Sequence, residues 1–83
     1  MREGNLIMTP ILIEVRMFPF GERSLDYKIC IKTYYKDRTE NSCEAVYFAT
    51  QADLQKYLSR KEKERFTIIT KNNGEYLLGK NFD

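Results

Sequence analysis

Apolar and polar side chains alternate along two segments in the first half of the chain. Residues 11–17 place Ile, Ile, Val and Met on every second position, and residues 25–35 continue an alternation of the same kind. A period of two residues is typical of a strand that buries one of its faces. The pattern therefore predicts two strands, the second of which presents a basic outer face that includes Lys28 and Lys32.

The segment between these strands, residues 18–24, interrupts the alternation. Pro19 lacks a backbone donor and Gly21 tolerates positive φ, so the segment predicts a turn. Aligning the apolar faces across that turn places Met17 opposite Tyr27. An antiparallel hairpin in this register is the expected start of the fold.

A polar turn leads to a third strand over residues 42–49, whose orientation the sequence leaves open. Either Ala45 and Tyr47 or Val46 and Phe48 point toward the core. The second pair is favoured, because two larger and wholly apolar side chains gain more free energy from burial.

A helix is predicted to begin at Thr50, because Thr50 and Asp53 resemble a capping box. One narrow stripe at helical spacing consists of Leu54, Tyr57, Leu58 and Lys61. A short β-branched segment follows, and the dipeptide Asn73-Gly74 then indicates a type I′ hairpin, whose central positions need positive φ. The chain is expected to return through a last strand.

The resulting order of elements, β-β-β-α-β-β, predicts an α+β domain in which one helix packs on one face of an antiparallel sheet. A length of 83 residues allows a single domain, 1–83, since two domains would need about twice that length. Residues 1–9 and 80–83 are expected to be frayed ends.

Two cysteines, Cys30 and Cys43, bear on the compartment in which the protein works. Two are too few for the disulfide framework of a small secreted domain. With the turn between the second and third strands centred near Thr39, they lie about 13 Å apart, beyond the ~7 Å limit between the Cα atoms of bonded cysteines. Two free thiols and a reducing, cytoplasmic location are therefore expected. The sequence also contains no apolar run of membrane-spanning length, and its first residues are not expected to act as a signal peptide.

Candidate catalytic chemistry is sparse. Histidine, the commonest general base and metal ligand, is absent from the sequence. The four glycines are isolated and form no phosphate-binding loop. The chain is therefore expected to be non-catalytic and to bind no metal or cofactor.

The outer face of the second strand interleaves basic and aromatic side chains. Arg16 is expected opposite Lys28 on the neighbouring strand, and the turn between the two strands carries further aromatic and basic residues. Basic side chains beside exposed rings are typical of protein-binding hot spots, whereas lysines on a solvated sheet also serve simply to discourage aggregation. The residues predicted to contact a partner are Phe18, Phe20, Arg23, Lys28, Lys32, Tyr34 and Lys36.

These features favour a non-catalytic protein-binding module, of the kind by which phages and mobile elements inhibit or modulate a host enzyme or defence complex. The alternative is a protein that binds single-stranded nucleic acid, with Lys28, Lys32 and Lys36 on phosphates and Tyr34 stacked on a base. A net charge of +2 provides little long-range attraction for that alternative. A homodimer formed through an exposed edge strand is a third hypothesis.

Overall fold

The computed structural model describes residues 9–82 and contains five strands and one helix. The strands are β1 (Leu12–Pro19), β2 (Asp26–Tyr34), β3 (Thr39–Tyr47), β4 (Thr67–Asn72) and β5 (Glu75–Asn81), and the helix is α1 (Gln51–Lys63). All neighbouring strands are antiparallel, and their order in the sheet is β3-β2-β1-β5-β4. The predicted α+β class and order of elements are confirmed.

The core lies between α1 and one face of the sheet. Val15 and Met17 on β1 and Leu78 on β5 are wholly inaccessible to solvent, and Leu54 and Leu58 face them from α1. The other buried side chains are Tyr27, Ile29, Phe48, Phe66 and Tyr76. Burying one aliphatic or aromatic side chain contributes about 1.5–3 kcal/mol, so this single cluster supplies most of the apolar stabilisation. The opposite side of the sheet carries no part of this cluster and is called the outer face below.

The register of β1 and β2 differs from the predicted one by two residues. Met17 pairs with Ile29, and Tyr27 pairs with Pro19, so the expected Met17 to Tyr27 pairing is wrong. A shift of two residues leaves every side chain on its original face, and alternation alone therefore does not detect it. The same shift places Arg16 opposite Cys30 instead of Lys28.

Strand β1 continues through Pro19, although proline was expected to end it. Phe20 N donates to Asp26 O at 2.9 Å, so the nitrogen of the preceding Pro19 points away from β2. On that other side, the pairing of β1 with β5 already ends at Met17. The missing N–H of Pro19 therefore removes no hydrogen bond from the sheet.

The expected orientation of β3 is confirmed. Phe48, directly after the strand, is buried, and Val46 packs against the core, while the Tyr47 side chain is 49% exposed on the outer face. The strand begins at Thr39, earlier than predicted, because a short turn closed by Tyr35 N donating to Arg38 O already reverses the chain.

That short turn overturns the prediction of two free thiols. It is centred between Lys36 and Asp37, not near Thr39, and it makes Cys30 and Cys43 direct cross-strand partners. Their Cα atoms lie 4.0 Å apart and their sulfur atoms form a disulfide on the outer face. Disulfides are rare in reducing compartments, so this pairing counts against the expected reducing location, which was inferred from the small number of cysteines.

The helix begins as predicted. The Thr50 side chain accepts a hydrogen bond from Asp53 N at 3.2 Å, and Leu54 and Leu58 carry the buried stripe. Arg65, with φ of 77°, reverses the chain after the helix. No helix among residues 9–82 is long and apolar enough to cross a membrane.

The final hairpin also follows the prediction. Asn73 and Gly74 have φ of 52° and 79°, as a type I′ turn requires. Strand β5 extends to Asn81, and Phe82 N donates to Ile11 O at 3.1 Å, so residues 80–82 are paired where a frayed end was predicted. The other predicted frayed residues, 1–8 and 83, lie outside the described part of the chain.

Candidate interaction surface

The outer face is a sheet surface on which no helix or strand of residues 9–82 packs. Alternation along β1 and β2 places on it Leu12, Glu14, Arg16, Phe18, Asp26, Lys28, Cys30, Lys32 and Tyr34. Because every second residue of each strand must point to this side, its chemistry follows directly from the strand register. The face combines cations, rings and the carboxylates of Glu14 and Asp26.

One end of the outer face holds a group of five residues, Phe18, Phe20, Arg23, Lys28 and Tyr47, which we call the aromatic–cation cluster. The rings of Phe18 and Phe20 meet edge to face with centroids 6.5 Å apart, and Lys28 Nζ lies 4.8 Å from the Phe20 centroid. Arg23 Cζ lies 3.8 Å from the centroid of Tyr47. A cation over an aromatic face contributes about 0.5–1 kcal/mol at an exposed site, so these contacts hold the side chains in place without burying them.

The position of Arg23 is determined by the β1–β2 turn. Its guanidinium Nε lies 3.1 Å from Asp26 Oδ1, and its backbone N donates to Asp26 Oδ2 at 3.1 Å. Partial burial raises the pKa of the Asp26 carboxyl, but the hydrogen bonds from the backbone and side chain of Arg23 outweigh it and hold that pKa below its ordinary value of 3.8. Gly21, with φ of 143°, permits the tight approach of the turn to Asp26. The turn therefore presents Arg23 in a defined orientation.

The middle of the outer face is electrostatically mixed. Tyr34 OH donates to Glu14 Oε1 at 2.9 Å, and Lys32 Nζ lies 5.3 Å from the Tyr34 centroid. Arg16 lies one row away, opposite Cys30. The carboxylate of Glu14 thus interrupts the basic side chains of this region.

The structure brings together four of the seven residues predicted to contact a partner, Phe18, Phe20, Arg23 and Lys28. Lys32 and Tyr34 lie further along the outer face, and Lys36 lies beyond the end of β2 in the β2–β3 turn. Eight residues separate Lys28 from Lys36, a distance of about 26 Å along an extended chain. The predicted set is therefore not one cluster.

Tyr47 is a member of the aromatic–cation cluster that the sequence-based set omits. The predicted orientation of β3 could have identified it. Placing Val46 and Phe48 inward puts Tyr47 on the outer face, next to the β1–β2 turn. Tyr76, by contrast, lies on the helix side of the sheet and is buried, with 6% of its surface accessible.

Within residues 9–82, no three potential metal ligands among His, Cys, Asp and Glu lie close enough together to hold an ion. No protein-family model matches the chain, and no curated protein or solved structure does so either. The chemistry of the surface is therefore the basis for inferring function.

Proposed function

We propose that this protein is a non-catalytic binding module that attaches to another protein through the aromatic–cation cluster. The observation that carries the proposal is the exposure of Phe20 and Tyr47, at 57% and 49%, although each ring is held by a cation. Exposed aromatic side chains beside arginine have the composition of interface hot spots. Rings that are already oriented lose little conformational entropy when a partner covers them.

The charge distribution favours a protein over single-stranded nucleic acid. A base stacked on Tyr34 would bring its phosphates near the Glu14 carboxylate, to which the Tyr34 hydroxyl donates at 2.9 Å. At the aromatic–cation cluster, Asp26 already neutralises Arg23. Nucleic-acid affinity depends on Lys and Arg side chains that are free to displace the counterions of the phosphates. The neighbouring carboxylates reduce this electrostatic contribution at both sites.

The nature of the partner is a more specific hypothesis. A single domain of 83 residues without histidine suits a protein that acts by occupying its target. We propose inhibition or modulation of a host enzyme or defence complex by a phage or mobile-element protein, in the cytoplasm. Because disulfides are rare in the reducing cytosol, the redox state of Cys30 and Cys43 in the source cells tests this location independently.

A capture experiment with paired variants tests the proposal. The tagged protein, the double variant Phe20→Ala/Tyr47→Ala and the control Lys56→Ala/Arg60→Ala are each incubated with extract of the source cells, with and without nuclease. The control removes two exposed cations from α1, on the opposite side of the molecule. We expect a discrete protein that survives nuclease, is retained equally by the control and is reduced about tenfold or more by the cluster variant.

Two results would contradict the proposal. Retention that is unchanged in Phe20→Ala/Tyr47→Ala would show that the cluster is not the contact surface. Loss of all retained material on nuclease treatment would instead support binding of nucleic acid, and a steep fall of affinity with salt would confirm it.

A further inference from the structure

Strand β3 forms a long and regular edge of the sheet. Among residues 9–82 it pairs with β2 alone, and its register runs from Asp26–Tyr47 to Tyr34–Thr39 without a bulge. Seven consecutive residues, 39–45, are exposed. An edge of this kind offers backbone hydrogen-bonding groups to any extended chain that reaches it.

The hydrogen bonds at the two ends of β3 identify which backbone groups face outward. Phe48 N donates to Leu25 O, and Tyr35 N donates to Arg38 O, so the even-numbered residues 38–48 pair with β2. The backbone N–H and C=O groups of the odd-numbered residues point to the open edge. These residues are Thr39, Asn41, Cys43, Ala45 and Tyr47.

The opposite edge of the sheet, β4, is protected in ways that β3 is not. Strand β4 has six residues against nine in β3, and its register shifts between Ile68 and Thr70. It also carries Lys71, and bulges and lysines are both features that prevent unwanted strand pairing. Strand β3 contains neither lysine nor proline.

The carboxylates of β3 select among possible occupants of this edge. Glu40 and Glu44 lie on the helix side of the sheet, opposite Thr33 and Ile29 of β2. If a second copy paired antiparallel with β3 about Ser42, Glu40 of one chain would face Glu44 of the other. Pairing about Glu44 would place the two Glu44 side chains opposite each other, and pairing about Cys43 would place carboxylates diagonally. Pairing about Asn41 would place Glu44 opposite Arg38 of the other copy, but Arg38 already pairs with Asp37 and Glu40 of its own chain. Like charges directly opposite each other are destabilising and Arg38 is already neutralised, so a second copy fits this edge less well than a strand that brings its own cations.

We propose that the open edge of β3 receives an extended strand of a partner protein that carries lysine or arginine opposite Glu40 and Glu44. This inference rests on the proposed function only in that the occupant is a protein. Glu40 already lies 3.0 Å from Arg38 Nε, whereas no cation among residues 9–82 lies within 4 Å of the Glu44 carboxylate. Glu44 is therefore expected to select the partner strand more strongly than Glu40. In such an added strand, the backbone hydrogen bonds provide affinity and the side-chain charges provide selectivity.

Two synthetic nine-residue peptides test the inference. Both are acetylated and amidated and consist of threonine and valine, with lysine at positions 3 and 7 in one peptide and glutamate at those positions in the other. The spacing of four residues matches Glu40 and Glu44. We expect the lysine peptide to bind about fivefold or more tightly than the glutamate peptide and to slow hydrogen exchange at the amides of Asn41, Cys43 and Ala45.

Variants of the edge provide matched controls. Glu44→Gln should reduce the preference for the lysine peptide more than Glu40→Gln, because Arg38 already neutralises Glu40. Ala45→Pro removes a donor that faces the open edge and leaves the ladder with β2 intact, so it should abolish exchange protection. The amide spectrum of each variant verifies its fold. If Ala45→Pro unfolds the strand, the comparison of Glu44→Gln with Glu40→Gln still tests the inference.

The outcomes separate this inference from the proposed function. Equal affinity for the two peptides, or exchange protection confined to β4, would overturn the β3 inference. Phe20→Ala/Tyr47→Ala should bind the lysine peptide unchanged, because its backbone edge and both carboxylates remain. A captured protein that is lost with those two rings, combined with no peptide protection at β3, would support the proposed function and overturn the β3 inference alone.

Discussion

Replacing both cysteines tests the register of the β2–β3 hairpin and the contribution of its disulfide. In the double variant Cys30→Ser/Cys43→Ser, side chains of similar size occupy the same positions, of which 43 is exposed and 30 is half-buried. The perturbation therefore removes the covalent link and little else. Reducing the wild-type protein provides a second route to the same state, without any change of sequence.

The expected magnitude follows from the 13-residue separation of the two cysteines. A cross-link over a loop of that length lowers the entropy of the unfolded chain and stabilises the folded state by about 3 kcal/mol at 25 °C. A domain of 83 residues is stabilised in total by about 4–12 kcal/mol, so the loss is a large fraction. It corresponds to a fall in melting temperature of about 12–24 °C.

Urea denaturation of the oxidised wild type, the reduced wild type and the double serine variant measures this loss. Alkylation in denaturant without reductant gives the thiol count by mass, and the oxidised protein should incorporate no label. In the reduced protein and the variant, hydrogen exchange should accelerate most in β3, because Val46 alone among its side chains packs against the core. Two labelled thiols in the oxidised protein, or equal stability in all three states, would refute the reasoning.

Three further substitutions probe the elements that position the outer face. Thr50→Ala removes the acceptor for Asp53 N and should cost about 1 kcal/mol in urea denaturation, and an unchanged midpoint would contradict the cap. Gly21→Ala combines a φ of 143° with a Cβ only 2.7 Å from that of Asp26, so a loss of about 1–3 kcal/mol is expected. The pKa of Asp26 in the folded state lies below its ordinary value of 3.8. Its contribution to the stability of the fold is therefore complete above pH 3.8 and is lost as the pH falls through the folded-state pKa. Asp26→Asn should therefore lessen the fall in melting temperature as the pH drops below about 4, and an unaltered acid profile would argue against the Arg23 pairing.

The faces of the strands were predictable from the sequence, but their registers were not. Alternation determines that Met17 and Ile29 point inward and that Phe18 and Lys28 point outward, whatever the length of the turn. Shifting a strand by two residues preserves these faces, so only the turn geometry decides the partners. That geometry depends on Asp26 bonding to the turn, which alternation does not encode.

The cysteines show how a small error in a turn becomes a large error in chemistry. Moving the centre of the β2–β3 turn from Thr39 to the Lys36–Asp37 bond is a change of 2.5 residues along the chain. In an antiparallel hairpin the partner of each residue moves by twice that amount, which brings Cys43 opposite Cys30. The lysine and aspartate of the turn are compatible with either centre, so composition alone did not locate it.

The members of the candidate site close to one another in sequence were predictable, whereas the member brought in by tertiary pairing was not predicted. Phe20, Arg23 and Lys28 stand out because they flank a break in the alternation, and the structure does bring them near one another. Tyr47 joins them through tertiary pairing of β3 with β2, beside Asp26. Lys36 was predicted to contact a partner because the alternation of the sequence continues to it. Strand β2 ends at Tyr34, so Lys36 lies in the turn instead.

Tyr47 links the two surfaces for which binding is proposed. Its ring lies under Arg23 in the aromatic–cation cluster, and its backbone N–H and C=O point to the open edge of β3. A strand added at that edge would therefore run alongside the cluster, and one partner can engage both surfaces at once. The disulfide ties Cys43 of β3, four residues before Tyr47, to Cys30 in the middle of β2. Because the side chains of β3 are almost entirely exposed, the edge is kept aligned with the cluster by the nine-pair ladder with β2 and, where the cysteines are oxidised, by this covalent link.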